Sequence, residues 1–210
     1  MADYTKLDHW SLKAQKEGYP ARSVYKLKEM DEKFGLLKPR KSQFKALDLG
    51  AAPGSWSLYI LRKLSGRKDS ASEPLLVSVD LAPLSRSYDQ GLFDGKDFVF
   101  IQGDFTQSEI KEGIVSRGPY SLLVSDAAPA TSGNRSLDTL RSLDLAENAL
   151  DYAVNNLAQG GNLVIKIFQG GETANFLKTM RSLFETAKSF KPQACRAESF
   201  EMYLLGFNKR

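Results

Sequence analysis

A single lysine interrupts one of the most apolar segments of the chain. Lys166 lies within residues 162–168, flanked by leucine, valine, isoleucine and phenylalanine. A lysine in a strand that is apolar on both faces needs a negative partner, because an isolated ammonium group is costly to bury. Asp126 follows the preceding apolar segment, 121–125, and is the expected partner. The structural alternative is an edge strand, on which a lysine would deter aggregation.

A glycine-rich turn follows an earlier apolar segment, 44–49. Gly50 and Gly54 have the spacing Gly-x-x-x-Gly, and glycines there let the backbone turn tightly and approach a ligand closely. The spacing differs from the Gly-x-Gly-x-x-Gly motif that seats a dinucleotide pyrophosphate. Pro53 also lacks a backbone N–H that a phosphate would use. The turn therefore favours a ligand without phosphates and disfavours a nicotinamide-dependent oxidoreductase.

Two carboxylates follow the next two apolar segments. Asp80 comes after 75–79, where an acid can accept hydrogen bonds from ribose hydroxyls. Asp104 and Phe105 come after 98–102, where a carboxylate can meet an adenine amino group and an aromatic ring can lie against the base. Each acid alone could instead cap a helix. Together with the glycine turn, they predict an adenosine pocket.

These residues require a scaffold in which the ends of several strands meet. The alternation of patterns predicts an α/β, Rossmann-like fold, in which helices cover both faces of a mostly parallel sheet. In such a sheet, ligands bind beyond the carboxyl ends of the strands. The predicted strands are 44–49, 75–79, 98–102, 121–125, 162–168, 187–191 and 201–207, and the predicted helices are 21–35, 55–64, 106–116, 137–158 (ended by Gly160 and Gly161) and 173–185.

The composition excludes several classes of protein. One cysteine, Cys195, allows no internal disulfide and no cysteine-based metal site, and a single histidine, His9, argues against catalysis through imidazole-bound metal. No apolar segment has the length of a membrane span, and the N-terminus lacks the pattern of a secretory signal. We therefore expect a cytoplasmic monomer with no membrane partner and no required metal.

The charge is unevenly distributed. Residues 1–45 have a net charge of +5, residues 46–173 of −5 and residues 174–210 of +4. Basic ends suit a polyanionic partner whose phosphates need neutralising. Ordinary solvated charge would give the same count.

Five motifs together resemble one known family over nearly the whole chain. They are ARSVYKL at 21–27, LDLGAAPGSWS at 47–57, SDAAP at 125–129, GGNLVIKIFQG at 160–170 and RAESFEMY at 196–203. The chain thereby resembles the FtsJ/RrmJ family of RNA 2′-O-ribose methyltransferases. The polar stretch 65–74 looks like an insertion relative to compact members.

The resemblance implies a cofactor and a catalytic tetrad. The cofactor would be S-adenosylmethionine, released as S-adenosylhomocysteine, and no metal would be required. The family's Lys-Asp-Lys-Glu tetrad would fall on Lys26, Asp126, Lys166 and Glu201, with Glu201 preferred over Glu198 because it directly precedes Met-Tyr. The residues expected to bind the cofactor are Gly50, Ala51, Pro53, Gly54, Trp56, Asp80, Leu81, Asp104, Phe105 and Asp126.

The expected substrate is a structured RNA. Large-subunit ribosomal RNA is preferred, with Arg22, Lys38 and Arg135 as candidate RNA contacts and Lys166 beside the 2′-hydroxyl. Two alternatives stay open: the same reaction in a tRNA anticodon loop, and a non-catalytic RNA-binding factor in ribosome assembly. Residues 1–40 are expected to form a basic helical extension that contributes Lys26, and residues 41–210 the catalytic domain.

Overall fold

The computed structural model describes residues 8–38, 43–65, 75–196 and 198–210. The helices within these ranges are α1 (His9–Lys16), α2 (Val24–Phe34), α3 (Ser55–Ser65), α4 (Ser108–Val115), α5 (Arg135–Asn156) and α6 (Thr173–Leu183). The strands are β1 (Lys45–Leu49), β2 (Leu75–Asp80), β3 (Phe98–Gln102), β4 (Tyr120–Ser125), β5 (Leu157–Phe168), β6 (Phe184–Phe190) and β7 (Glu201–Lys209).

All seven of these strands form one sheet in the order β3-β2-β1-β4-β5-β7-β6. The first five strands of that order are parallel, and β7 runs antiparallel to both β5 and β6. The predicted α/β fold with a mostly parallel sheet is therefore confirmed. Because β5 lies between β4 and β7, Lys166 is not on an edge strand, and the edge-strand explanation of this lysine is wrong.

Successive residues of a strand face opposite sides of the sheet, and this alternation creates two apolar cores. Ala46 packs on one side with residues of α1, α2 and α3. Leu47 packs on the other side with residues of α4, α5 and α6. The central strands are buried on both faces, which explains why they are nearly continuously apolar.

Helix α2 begins three residues later than predicted. The backbone of Ala21 is held by α3 instead, because its N–H donates to the Ser55 hydroxyl and its carbonyl accepts from the same group. The helix ends as predicted at Gly35, which adopts a left-handed conformation with φ of 69°.

The boundary between α5 and β5 differs most from the prediction. The glycine pair Gly160-Gly161 does not end the helix: α5 ends at Asn156, and both glycines lie inside β5. The reason is tertiary, because Leu157 already pairs with Tyr120 of β4. Lys209, from the last strand, also donates its ammonium to the carbonyl of Leu157.

The first two helices pack into the body of the protein. Ala14 of α1 and Leu27 of α2 belong to the same apolar core as α3. The predicted insertion lies mostly at 66–74, outside the described residues. Among the helices described, none is long and apolar enough to cross a membrane.

Candidate functional site

The glycine turn between β1 and α3 comes very close to the loop after β4. Gly50 has a φ of 74°, and a Cβ at this position would lie 2.6 Å from the Ala127 Cα. Any other residue would therefore push the two loops apart and strain the backbone. Gly50 consequently brings the ends of β1 and β4 together.

Asp80 ties the glycine turn to the end of β2. One carboxylate oxygen accepts the backbone N–H of Ala52 at 2.9 Å, and the other accepts that of Ala82 at 2.8 Å. Asp104, at the end of β3, accepts from the backbone and hydroxyl of Thr106 at 2.9 and 2.8 Å. Neither acid is the N-cap of a described helix, so both serve the loops at this edge of the sheet.

A cavity of about 720 Å³ opens at this edge. Its size lies within the range of about 300–1,000 Å³ that is usual for small-molecule sites. Seven of the ten residues predicted to bind the cofactor line it: Gly50, Pro53, Asp80, Leu81, Asp104, Phe105 and Asp126. Lys166 lines it as well.

The other three predicted residues do not line the cavity. Ala51 and Gly54 are buried in the turn itself. Trp56 is buried on α3, and its indole N–H donates to the carbonyl of Ser23 at 2.8 Å. Since Ser23 does line the cavity, Trp56 acts on the cavity wall through this hydrogen bond.

Further residues that line this cavity were not predicted from the sequence. They are Ser23, Ala52, Gly103, Thr106, Ala127, Ala128, Pro129, Ala130, Arg141, Asp144 and Leu145. Most lie within or directly beside the sequence motifs, and this position in the sequence was the signal that could have indicated them. The last three lie on α5, where only the packing of the helix over the end of β4 reveals them.

The four tetrad residues form two ion pairs. The Lys26 Nζ lies 2.8 Å from Oε1 and 2.9 Å from Oε2 of Glu201. The Lys166 Nζ lies 3.0 Å from Oδ1 of Asp126 and also donates to the backbone carbonyl of Asp126. Helix α2, the residue that follows β4, and the strands β5 and β7 thus each supply one charged side chain.

Tyr203 joins this cluster, although no role was predicted for it. It lies opposite Lys166 in the pairing of β5 with β7, and it is fully buried. Its hydroxyl donates to Oδ1 of Asp126 at 2.7 Å. A tyrosine in an otherwise apolar strand was the available signal, because a buried phenol needs a hydrogen-bond partner.

The pKa values in the cluster follow from competition between burial and charge. Burial opposes ionisation of Asp126, but Lys166, Lys26 and the Tyr203 hydroxyl together hold its pKa below the ordinary value. Burial likewise acts to lower the pKa of Lys26, and the charges of Asp126 and Glu201 outweigh it, so that this pKa is raised. Burial and Asp126 raise the pKa of Tyr203.

The three predicted RNA contacts have different surroundings. Arg22 is partly buried, and its guanidinium donates to the Asp8 carboxylate and the Ala194 carbonyl. Lys38 is exposed after α2. Arg135 begins α5, and its guanidinium carbon lies 5.1 Å from the centre of the Phe200 ring. Glu198, the alternative to Glu201, is exposed on the surface.

No cluster of three or more His, Cys, Asp or Glu side chains suited to a metal ion occurs in the described part of the chain.

Comparison with known proteins gives consistent matches over the whole fold. The sequence profile described as FtsJ-like methyltransferase matches residues 19–209. A relative in Treponema denticola, named ribosomal RNA large subunit methyltransferase E, is 49% identical over 206 residues, which cover 98% of this chain and 96% of that protein. A relative of the same name in Methanothermobacter thermautotrophicus is 41% identical and covers 96% of this chain and 89% of its own length.

A solved structure supports the same grouping. The structure described as a ribosomal RNA methyltransferase from Plasmodium falciparum superposes with a TM-score of 0.73 at 25% identity. The match covers 91% of this chain and 98% of that one.

Proposed function

Because the chain belongs to the FtsJ-like methyltransferase family, we propose that it uses S-adenosylmethionine to methylate a ribose 2′-hydroxyl of large-subunit ribosomal RNA. The observation that carries the proposal is the juxtaposition of two ion pairs, Lys26–Glu201 and Lys166–Asp126, with a cavity walled by carboxylates. The cavity would hold the methyl donor, and the ion pairs would hold the hydroxyl that receives the methyl group.

The charges lining the cavity fit a cationic ligand. Four carboxylates, from Asp80, Asp104, Asp126 and Asp144, face two cationic side chains, from Arg141 and Lys166. This excess of negative charge suits a sulfonium with an amino group and disfavours a dinucleotide pyrophosphate. The residues that would hold the cofactor are the carboxylates at the strand ends and the backbone of the Gly50 turn.

Lys166 is the residue we place at the reacting hydroxyl. Bound S-adenosylmethionine supplies an electrophilic methyl group whose leaving group is a neutral thioether. The difficulty therefore lies with the ribose hydroxyl, which is a weak nucleophile until its proton is removed or polarised. An ammonium group has three N–H donors. Two of those of Lys166 are directed at Asp126, one to its carboxylate and one to its backbone carbonyl. As the ammonium, Lys166 would offer its remaining donor to the oxygen on which negative charge develops, and the hydroxyl proton would leave to solvent. As the neutral amine, it would accept that proton itself.

Lys26 and Glu201 would fix the position of that hydroxyl. Both carboxylate oxygens of Glu201 contact the Lys26 ammonium, which restrains two long side chains in one arrangement. The two lysines and two carboxylates together carry no net charge, and their ion pairs hold all four side chains in a defined orientation. Alignment of the hydroxyl with the bond that breaks then supplies a large part of the rate.

Ribosomal RNA is preferred as the substrate because both relatives described above are named for the large-subunit molecule. Arg22, Lys38 and Arg135 would contact its phosphates, since basic side chains release counterions from RNA on binding. We place this reaction in the cytoplasm.

The test is transfer of labelled methyl from S-adenosylmethionine to large ribosomal subunits, protein-free ribosomal RNA and bulk tRNA. We expect label in ribosomal RNA, recovered after alkaline hydrolysis as a resistant 2′-O-methylated dinucleotide. The Lys166→Ala variant should give roughly 10²- to 10⁴-fold less, whereas Lys178→Ala, at an exposed position on α6, should behave as the unaltered protein.

Other outcomes would overturn defined parts of the proposal. Label only in tRNA would move the substrate to the anticodon-loop alternative. Label on a base would exclude ribose as the acceptor. Absence of label with the cofactor still bound would favour a non-catalytic role in ribosome assembly.

A further inference from the structure

A pair of aromatic rings lies beside the ion pairs and outside both apolar cores. The centres of the Phe168 and Phe200 rings are 4.7 Å apart at an angle of 57°. Phe168 is 7% exposed and Phe200 is half-buried, and neither belongs to the two large apolar clusters on the faces of the sheet. Arg135 lies against the Phe200 ring at 5.1 Å. Within the described residues, its guanidinium forms no ion pair with a carboxylate, so that charge is available to a ligand.

The aromatic pair is adjacent to the tetrad because of strand register. Phe168 is two residues beyond Lys166 on β5, so both side chains emerge on the same side of the strand. Phe168 is also paired with Glu201 of β7, and Phe200 directly precedes Glu201. An RNA strand with one ribose at the ion pairs would therefore place its neighbouring nucleotide near this aromatic pair.

A second cavity, of about 420 Å³, begins at the same place. Its lining includes the apolar residues Leu140, Leu143, Ile167 and Phe168 and the charged residues Arg135 and Glu172. Of the four apolar residues, Leu140 is the exposed one. The exposed Gln169 adds a side-chain amide. A partly apolar surface with an amide, one carboxylate and one cation suits a flat, aromatic, hydrogen-bonding ligand, with Arg135 available for an attached phosphate.

We propose that this second cavity binds one unstacked nucleobase of the RNA strand whose ribose reaches Lys166. The inference rests on the proposed function and extends it to the nucleotide beside the target. Proteins recognise single-stranded RNA by stacking splayed bases on aromatic rings and arginine planes. Arg135 offers such a plane, held by Phe200 on one side, and its charge suits the phosphate of the same nucleotide.

A simple anion would not need this surface. A phosphate alone would be bound by Arg135 without Leu140, Leu143 or Ile167. Leu140 is 61% exposed on α5, so its side chain is free to contact a base in the complex.

The experiment measures the KM for protein-free large-subunit ribosomal RNA and, in parallel, the dissociation constant of the same RNA by filter binding. Leu140→Glu places a negative charge in the cavity, and Arg135→Ala removes the cation. Val154→Glu is the matched control, because Val154 is also an exposed apolar residue of α5 but lines a different cavity. We expect each cavity variant to raise both constants roughly tenfold, as expected for loss of one stacked base, while Val154→Glu leaves them unchanged.

A second series tests whether the Phe200 ring positions Arg135, since Phe200 contacts that guanidinium but does not itself line the cavity. Phe200→Leu keeps an apolar side chain but removes the ring behind the guanidinium, and Phe200→Trp restores an aromatic ring there. We expect a raised KM for the leucine variant and recovery for the tryptophan variant, with an unchanged affinity for S-adenosylmethionine in both.

Three results would overturn the inference while leaving the proposed function intact. They are unchanged KM and RNA affinity in the cavity variants, equal effects of Leu140→Glu and Val154→Glu, and effects that appear with whole ribosomal subunits but not with protein-free RNA. The last would assign the cavity to a protein partner. If the unaltered protein methylates no RNA, the proposed function fails separately, and the binding measurements still decide the inference.

Discussion

Two aspartates at neighbouring strands have opposite electrostatic surroundings. Asp126 directly follows β4 and is half-buried beside Lys166 and Lys26, and Tyr203 donates to it, so its pKa lies below the ordinary value despite partial burial. Asp48, in the middle of β1, is fully buried, and burial raises its pKa to about 7. One of its oxygens accepts from the Ser57 hydroxyl at 2.7 Å, and the other has no hydrogen-bond partner.

The difference shows that burial alone does not decide whether a carboxylate is charged. The two aspartates lie close together, because Asp48 pairs with Val124, two residues before Asp126. Only Asp126 has cationic partners. It can therefore remain an anion in the site, whereas Asp48 favours its neutral form. Their contributions to stability also depend on pH in opposite directions.

The largest expected effect comes from removing the cation beside Asp126. Lys166→Ala should lower kcat by roughly 10²- to 10⁴-fold, the range usual for loss of a group that assists proton transfer. Affinity for S-adenosylmethionine, measured by calorimetry, should stay nearly intact. Equal loss of activity and cofactor affinity would show instead that Lys166 serves the cavity or the fold.

The pH dependence of kcat refines this result. Methyl transfer releases one proton from the hydroxyl. A rate that rises with pH through one ionisation would identify a lysine that accepts this proton, and a flat profile would identify one that only holds the oxygen.

Asp48→Asn should change how stability depends on pH. The raised pKa means that the folded protein retains a proton which the unfolded chain releases above about pH 4. The free energy of unfolding should therefore fall as pH rises from about 4 to about 7, by a few kcal/mol in total. Urea denaturation across this range should show a flatter dependence for the asparagine variant. Parallel curves for the two proteins would contradict the neutral state of Asp48.

Tyr203→Phe removes the hydrogen bond from the tyrosine hydroxyl to Asp126, a tyrosine contact for which Asp48 has no counterpart. The lost bond ends on a charged carboxylate, so the free energy of unfolding should decrease by about 1.5–3 kcal/mol. Tyr120→Phe is the control, since Tyr120 is equally buried but donates at 2.6 Å to a neutral carbonyl, that of Ile114. The decrease in the free energy of unfolding caused by Tyr120→Phe should be smaller, about 0.5–1.5 kcal/mol. Equal costs would mean that the charge of Asp126 adds nothing to this bond.

The smallest effect should come from solvated charges. Lys38→Glu, at an exposed position, should weaken RNA binding and reduce the dependence of log K on log salt by about one to two units. Arg22→Glu should weaken it too, but with a loss of stability, because Arg22 also pairs with Asp8. Lys178→Glu on α6 provides the comparison for net charge. Unchanged RNA binding in Lys38→Glu would exclude this surface from the interface.

The sequence was most informative where a residue type conflicted with its surroundings. Lys166 was recognisable because an ammonium group in a buried strand requires a partner, and its pairing with Asp126 follows from the order of the strands. The parallel sheet followed from the alternation of short apolar segments with helices. Trp56, by contrast, shares a motif with the cavity residues, and only packing shows that it contacts Ser23 instead.

Tertiary contacts account for what local patterns missed. Gly160 and Gly161 resemble a helix stop, yet pairing of Leu157 with β4 starts the strand before them. The positions of Tyr203 and Asp48 were visible, but their hydrogen bonds depend on strand register and on helix α3. Long-range contacts of this kind carry no signal in a window of neighbouring residues.

The contact between Gly50 and Ala127 couples two tasks that could otherwise change separately. Gly50 lines the larger cavity, and Ala127 follows the acid that pairs with Lys166. A larger side chain at position 50 would displace both loops at once. A substitution that reshapes the cavity here would therefore also shift Asp126 and its ion pair with Lys166.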